Sequence, residues 1–192
     1  MSFARIAIFI SGGGSNAEKI INHFQNHESI KVVLLLSNNP DAYGLQRAAR
    51  YNIATLVFNK MQFRESDEIV SVLKAAGVTH IVLAGFLWLI PQNLIEAFPG
   101  RIINIHPALL PKFGGKGMYG MRVHEAVHEA GENETGITIH EVNAHYDEGK
   151  VLAQQKCRIE KSDSPEQIAT KVQHLEHQYY PMVIEKWITT SL

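Results

Sequence analysis

Residues 4–17 read ARIAIFISGGGSNA, a short run that is apolar apart from Arg5, followed by a glycine-rich turn and the start of a helix-period segment. An apolar run that ends in glycines and passes into a helix is the opening of a βα unit, and a strand buried on both faces shows no alternation. The pattern repeats downstream. IKVVLLL (30–36), IATLVF (53–58), HIVLAGF (80–86) and RIINIH (101–106) read as further buried parallel strands. Between them Ile20, Ile21 and Phe24 form one helical stripe, and Ile69, Val70, Leu73 and Ala76 another that Gly77 closes as a C-terminal cap. Pro91 opens a short helix to Phe98, and Pro99-Gly100 stops it. Strand and helix in alternation predict a doubly wound α/β sheet.

The second half changes character. A glycine-rich loop, FGGKGMYG (113–120), precedes a helix near 121–130 and the strands GITIHEV (136–142) and VLAQQKCRI (151–159). The eight residues 143–150 between those strands are too few for a parallel crossover, so the pair is expected to be an antiparallel hairpin. The expected fold is therefore a Rossmann-like three-layer α/β/α sandwich, with parallel N-terminal strands and a mixed sheet at its C-terminal end. Ser164-Pro165-Glu166-Gln167 is a helix start with Ser as N-cap. That helix is expected to run to about Gln178, with Pro181 kinking or restarting it before Trp187 and Ile188 dock.

Composition narrows the function classes. The chain has 192 residues, enough to bury roughly 70% of its unfolded surface in one domain covering 1–192. Lys plus Arg number 18 against 19 Asp plus Glu, a net charge of −1, which lacks the basic excess expected of a nucleic-acid partner. The single Cys157 excludes a disulfide framework and fits a reducing compartment. The start MSFARIAIFI has no h-region or cleavage site, so a cytoplasmic protein without a membrane partner is expected. Ten histidines stand out, because that side chain titrates near pH ~6.5 and serves metals and acid/base chemistry alike.

Three features carry candidate chemistry. SGGGSNA (11–17) places Gly12, Gly14 and Ala17 at G-x-G-x-x-A spacing before a helix, where backbone amides meet an anion. The second strand ends Ser37-Asn38-Asn39 without the acidic residue that holds a dinucleotide ribose, so a mononucleotide or sugar phosphate fits better. The plain alternative is a turn needing positive φ. Asn104 and His106, two apart at the end of the fifth strand, share a face at the sheet's carboxyl edge. An amide that hydrogen-bonds an oxyanion beside an imidazole that moves a proton suits acyl transfer to an amine. Asp147, in the hairpin loop, could reach His106, raise its pKa and keep it charged. A turn role for Asp147 is the alternative.

The rival signal is HEAVHEAGENE (124–134), an H-E-x-x-H pattern in which His124 and His128 would bind zinc and Glu125 would act as base in a metallopeptidase. Helical geometry points elsewhere. Val123, Ala126, Val127 and Ala130 occupy the buried stripe, so the histidines are expected to flank it on a surface helix.

The ordered set SGGGSN, AGF (84–86), NIHPALLPK (104–112), TGITIH (135–140) and HYDEG (145–149) resembles the folate-dependent formyltransferases. The resemblance spans the chain and, with no extra domain, fits the single-domain purine-pathway branch. It implies transfer of the formyl group of 10-formyltetrahydrofolate to the amine of glycinamide ribonucleotide, in IMP biosynthesis, through a tetrahedral intermediate and without a metal. Carried over, Asn104, His106 and Asp147 form the catalytic set, with protonated His106 as proton donor. Gly14, Ser15 and Asn16 would hold the substrate phosphate, and Gln173 and Glu176 of KVQHLEHQYYP (171–181) its ribose. The folate would meet Arg64, Leu87, Trp88, Leu89, Ile90, Asn104 and the loop Asn143, Ala144, His145, Tyr146 and Asp147. The stretch Leu87-Trp88-Leu89-Ile90 lacks an arginine expected from many relatives, and the 113–120 loop is longer and richer in glycine than usual. A hydrolase releasing formate from the same folate is the nearest alternative. The resemblance implies small-molecule partners and a monomer or homodimer.

Overall fold

The computed structural model describes residues 3–190; the expected domain limits at 1 and 192 lie outside them. Seven strands form one sheet in the order β3-β2-β1-β4-β5-β6-β7. β1 (Ala4–Ile10), β2 (Ile30–Ser37), β3 (Ala54–Val57), β4 (His80–Leu83) and β5 (Ile102–His106) are parallel. β6 (Glu134–Glu141) and β7 (Val151–Arg158) add an antiparallel hairpin beyond β5, as the short connection requires. The strand IATLVF departs from expectation. β3 is only four residues long, lies at the sheet edge and is largely exposed, because no further strand covers it.

Helices cover both faces. On one, α1 (Ser15–Phe24), α2 (Tyr43–Arg50), α6 (Met121–Glu129) and α7 (Pro165–Thr190) enclose Ile6, Ile8, Ile20, Phe24, Val127 and Ile184. On the other, α3 (Lys60–Arg64), α4 (Glu68–Ala75) and α5 (Gln92–Ala97) pack over Phe9, Leu36, Phe63, Leu73 and Leu94. Burial on this scale, at about 25 cal/mol per Å² of apolar surface, is what orders the layers. The Ser164 cap forms as read, with Gln167 Oε1 accepting from the Ser164 amide at 2.8 Å. Pro181 does not divide α7, which is continuous over 26 residues. Proline removes one backbone donor, but Tyr180, Ile184, Trp187 and Ile188 bury around it and hold the helix in register.

The strand order reverses between β1 and β4, so their carboxyl ends open a crevice, and the loops there are stitched together. Ser11 N donates to Gly85 O at 3.0 Å, and Leu87 N donates to Ser11 Oγ at 3.0 Å. The loop after β5 is fastened by Thr138, opposite His106 in register, whose hydroxyl donates to Ala108 O at 2.7 Å and accepts from Leu110 N at 3.0 Å.

Candidate active site

A cleft of about 660 Å³ opens at this edge of the sheet. Its polar end is built by β5, β6 and the hairpin loop. Asn104 and His106 both line it, as their shared face requires, and Asp147 closes on them from the loop. Asp147 sits at φ +57°, in the left-handed region where Asp is one of the few tolerated residues. Its Oδ2 lies 3.5 Å from His106 Nδ1, its Oδ1 3.5 Å from His140 Nε2, and Oδ2 also accepts from Gly115 N at 2.9 Å. Burial pushes the Asp147 carboxyl up, but the His140 and His106 rings and the Gly115 amide around it bring it below the usual range, so it is ionised.

His106 corrects one expectation. Its imidazole is 3% exposed, and burial lowers its pKa below 6.5 although Asp147 and the Phe113 carbonyl act in the opposite direction. Desolvation outweighs the single carboxylate at 3.5 Å, so His106 is neutral near pH 7 rather than held charged. Its Nε2 is 2.7 Å from Phe113 O, and since a carbonyl only accepts, Nε2 carries the proton.

Of the residues read as phosphate and ribose contacts, Asn16, Gln173 and Glu176 line the same cleft, and Gly14 and Ser15 lie next to Asn16 in the chain but outside its lining. Gly14 takes φ +70° at the start of α1, which satisfies the plain turn reading and exposes the helix's first amides together. Asn16 Nδ2 donates to Glu176 Oε2 at 2.8 Å, and Gln173 Nε2 stands 3.4 Å from Ser15 Oγ. Burial raises the Glu176 pKa against the effect of Asn16.

The remaining wall is apolar. Leu87, Trp88, Leu89 and Ile90 line it with Phe86 and Val142, and Asn143, His145 and Tyr146 border it, whereas Arg64 and Ala144 are not among the lining residues. Trp88 belongs to an aromatic cluster with Phe58, Phe63 and Phe86, and the Arg64 guanidinium stands 6.0 Å from its ring. Arg64 thus places an arginine beside this stretch from α3. Volume, one apolar wall and a few convergent polar groups fit a drug-sized ligand.

Two histidines were not anticipated here. His140 is 2% exposed and pairs with Asn104 across the β5–β6 ladder; its i, i+2 relation to Thr138 within TGITIH was the available signal. His124 lies in the cleft, 6% exposed and with Nδ1 unpartnered, so it is not a surface residue, while Ala130 of the expected stripe is exposed. Residues 115–120 of the glycine-rich loop line the same cleft as His124. His128, one turn on, is exposed, and among the described residues no group of three His, Cys, Asp or Glu is placed to hold a metal ion. A groove of about 1010 Å³ beside β7, between Glu132 and Ser162, is lined by Cys157 but by none of the candidate catalytic or binding residues.

The family model described as formyl transferase matches residues 4–184. A chloroplastic phosphoribosylglycinamide formyltransferase of Arabidopsis thaliana is 47% identical over 94% of this chain, and the enzyme of that name from Haemophilus influenzae 38% over 96%. The chain spans 64% of the plant relative's length and 87% of the bacterial one. A crystal structure of phosphoribosylglycinamide formyltransferase from Bacillus halodurans superimposes with a TM-score of 0.87 at 34% identity, covering 98% of this chain and 97% of that one.

Proposed function

The chain belongs to the formyl transferase family, and from that premise we propose that it moves the formyl group of 10-formyltetrahydrofolate to the amine of glycinamide ribonucleotide. The observation that carries this reading is the meeting of Asn104, His106 and Asp147 in one cleft with the glycine-loop pair Asn16–Glu176 at its other end.

The folate supplies an activated acyl carbon, so no covalent enzyme intermediate and no metal are needed. The amine forms a bond to that carbon, the bond to the folate nitrogen breaks, and the proton lost by the amine replaces the formyl group on that nitrogen. Negative charge develops on the formyl oxygen meanwhile. The Asn104 amide and the His106 Nε2–H, both lining the cleft, are its donors, and a preorganised donor of this kind is worth roughly 10²–10³ in rate. The His106 Nε2–H, which donates to the Phe113 carbonyl, turns its hydrogen bond to the formyl oxygen. Asp147 keeps the imidazole oriented and stabilises it when it is transiently charged. Gly14, Ser15 and Asn16 bind the phosphate and Gln173 and Glu176 the ribose. Positioning two reactants this way supplies much of the acceleration.

The reading includes one domain over 1–192, a cytoplasmic setting, small-molecule partners only, and a monomer or homodimer. Among the described residues no helix is long and apolar enough to cross a membrane. Formyl transfer measured with and without ribonucleotide, in the presence of a chelator, tests it in wild type and His106→Ala. Ribonucleotide-dependent product that the substitution abolishes is expected. Formate release without ribonucleotide would make the enzyme a hydrolase, and full activity in His106→Ala would remove the central assignment.

A further inference from the structure

The glycine turn after β1 does not stand alone, because α2 grips it at two successive peptides. Gly44 N donates to Gly12 O at 3.1 Å, and Arg47 Nε donates to Gly13 O at 2.9 Å. Gly44 and Arg47 are three apart and so share one face of α2. That face lies against the turn so closely that a Cβ on Gly14 would be 2.6 Å from Gly44 Cα, and one on Gly44 would be 2.3 Å from the Ile10 side chain. The guanidinium has a second task, since its Nη1 pairs with Glu18 on the first turn of α1. Arg47 therefore ties strand-end, turn and helix together with one rigid planar fork.

The consequence follows from the planarity of the peptide. In a trans peptide the C=O and the following N–H point in opposite directions. Holding Gly12 O and Gly13 O against α2 therefore turns the amides of Gly13 and Gly14 away from α2. Among the described residues neither amide has a protein acceptor, and a Cβ at Gly12 or Gly13 would meet no atom within 4 Å, so this side of the turn is open. Successive amides aimed one way make an anion-binding nest.

We infer that Arg47 is a positioning residue for substrate phosphate: it does not touch the anion but fixes, through the Gly13 carbonyl, the direction of the amides that do. The inference rests on the proposed function, in which Gly14, Ser15 and Asn16 receive a phosphate. Because Glu18 neutralises the guanidinium, the effect is one of orientation rather than long-range charge. The motif that carries it, Gly44-x-x-Arg47, sits thirty residues from the glycine turn it serves.

Wild type, Arg47→Ala and Arg47→Lys are compared by titration with ribose 5-phosphate and by steady-state formyl transfer. In Arg47→Ala the Kd for ribose 5-phosphate and the KM for glycinamide ribonucleotide are expected to rise together by about tenfold, the scale of one charge-assisted hydrogen bond. That rise should exceed any fall in kcat, with the KM for the formyl folate unmoved. Arg47→Lys, which can still reach Gly13 O, should recover part of the loss, and it carries the comparison if Arg47→Ala does not fold. The ratio should be the same at low salt and at about 0.5 M salt, where a screened through-space charge would lose its effect. Unchanged affinity in Arg47→Ala, a loss that disappears at high salt, or an equal loss for folate and ribonucleotide would each overturn the inference. Absence of ribose 5-phosphate binding by wild type would instead overturn the phosphate reading beneath it.

Discussion

His140 lies directly opposite Asn104 in the antiparallel β5–β6 register, with its Nε2 3.2 Å from Nδ2 of Asn104. Its Nδ1 is 2.9 Å from the Glu141 carbonyl and therefore carries the proton, which makes Nε2 the acceptor for one N–H of the Asn104 amide. The other N–H is left for the cleft that Asn104 lines. The histidine thus decides which way the amide faces, a choice an isolated asparagine would not make.

Replacing His140 with Leu should free the Asn104 amide to rotate and lower kcat by about tenfold, below the loss expected for removing an oxyanion donor outright. His140→Gln, whose carbonyl can accept the same proton, should keep most of the activity. A single-turnover assay separates the two. Equal losses in both variants would mean that the ring acts through Asp147 instead.

Asp147→Asn should move the His106 titration further down. Burial already holds His106 below 6.5, and Asp147 is the main influence raising it. Without the carboxylate the neutral imidazole persists to lower pH, so the acid limb of kcat/KM shifts to lower pH while the maximum falls. The proton resonances of the His106 ring, followed by NMR across pH 4–8, check the direction. An upward shift would sink the assignment of Asp147 as the stabilising charge.

The elements and the α/β class were legible because buried parallel strands and helix caps leave local signals: apolar runs, Gly77 at φ +64° and the Ser164 box. The site was legible where chemistry and local geometry coincide, as at Asn104 and His106. It was not legible at His140 or Arg47, whose roles arise from register and from a helix packing on a distant turn. His124 misled for a related reason. Its helix was read against the sheet alone, whereas this flank lines the cleft together with residues 115–120 and is buried there, on a side that periodicity assigns to solvent.

His80 should make the fold acid-sensitive. It is fully buried between Thr79 Oγ1 at 2.9 Å and Arg101 Nη1 at 3.1 Å, and burial, then Arg101, push its pKa from 6.5 down to about 4. The unfolded chain then binds the proton first, so stability is whole above pH 6.5 and declines as pH falls towards 4, by about 3 kcal/mol from this group. His80→Phe, which keeps an aromatic ring against Trp187, should show a shallower decline in urea unfolding between pH 7 and pH 5. Parallel curves for the two proteins would rule His80 out.

Tyr180→Phe should cost stability without dismantling the site. The Tyr180 side chain is fully buried, and its hydroxyl donates to Leu83 O at 2.9 Å, with Ile103 O at 3.5 Å beyond it. Burial raises its pKa well above 10, so the hydroxyl remains a donor at every working pH. One hydrogen bond therefore pins α7 to the ends of β4 and β5, one residue before the loop at Ala84 and before Asn104. One helical turn earlier on α7, Glu176 accepts from Asn16, so the same helix joins both ends of the cleft. Deleting the hydroxyl leaves the Leu83 carbonyl without that partner, and about 1–2 kcal/mol of unfolding free energy should go with it. Apolar packing of the ring holds α7 in place, so kcat should change by less than about threefold. Urea unfolding and steady-state assays on the same preparation decide it. A stability loss below about 0.5 kcal/mol would show that the hydroxyl is incidental, and a large fall in kcat at near-native stability would show that α7 transmits strain to Asn104.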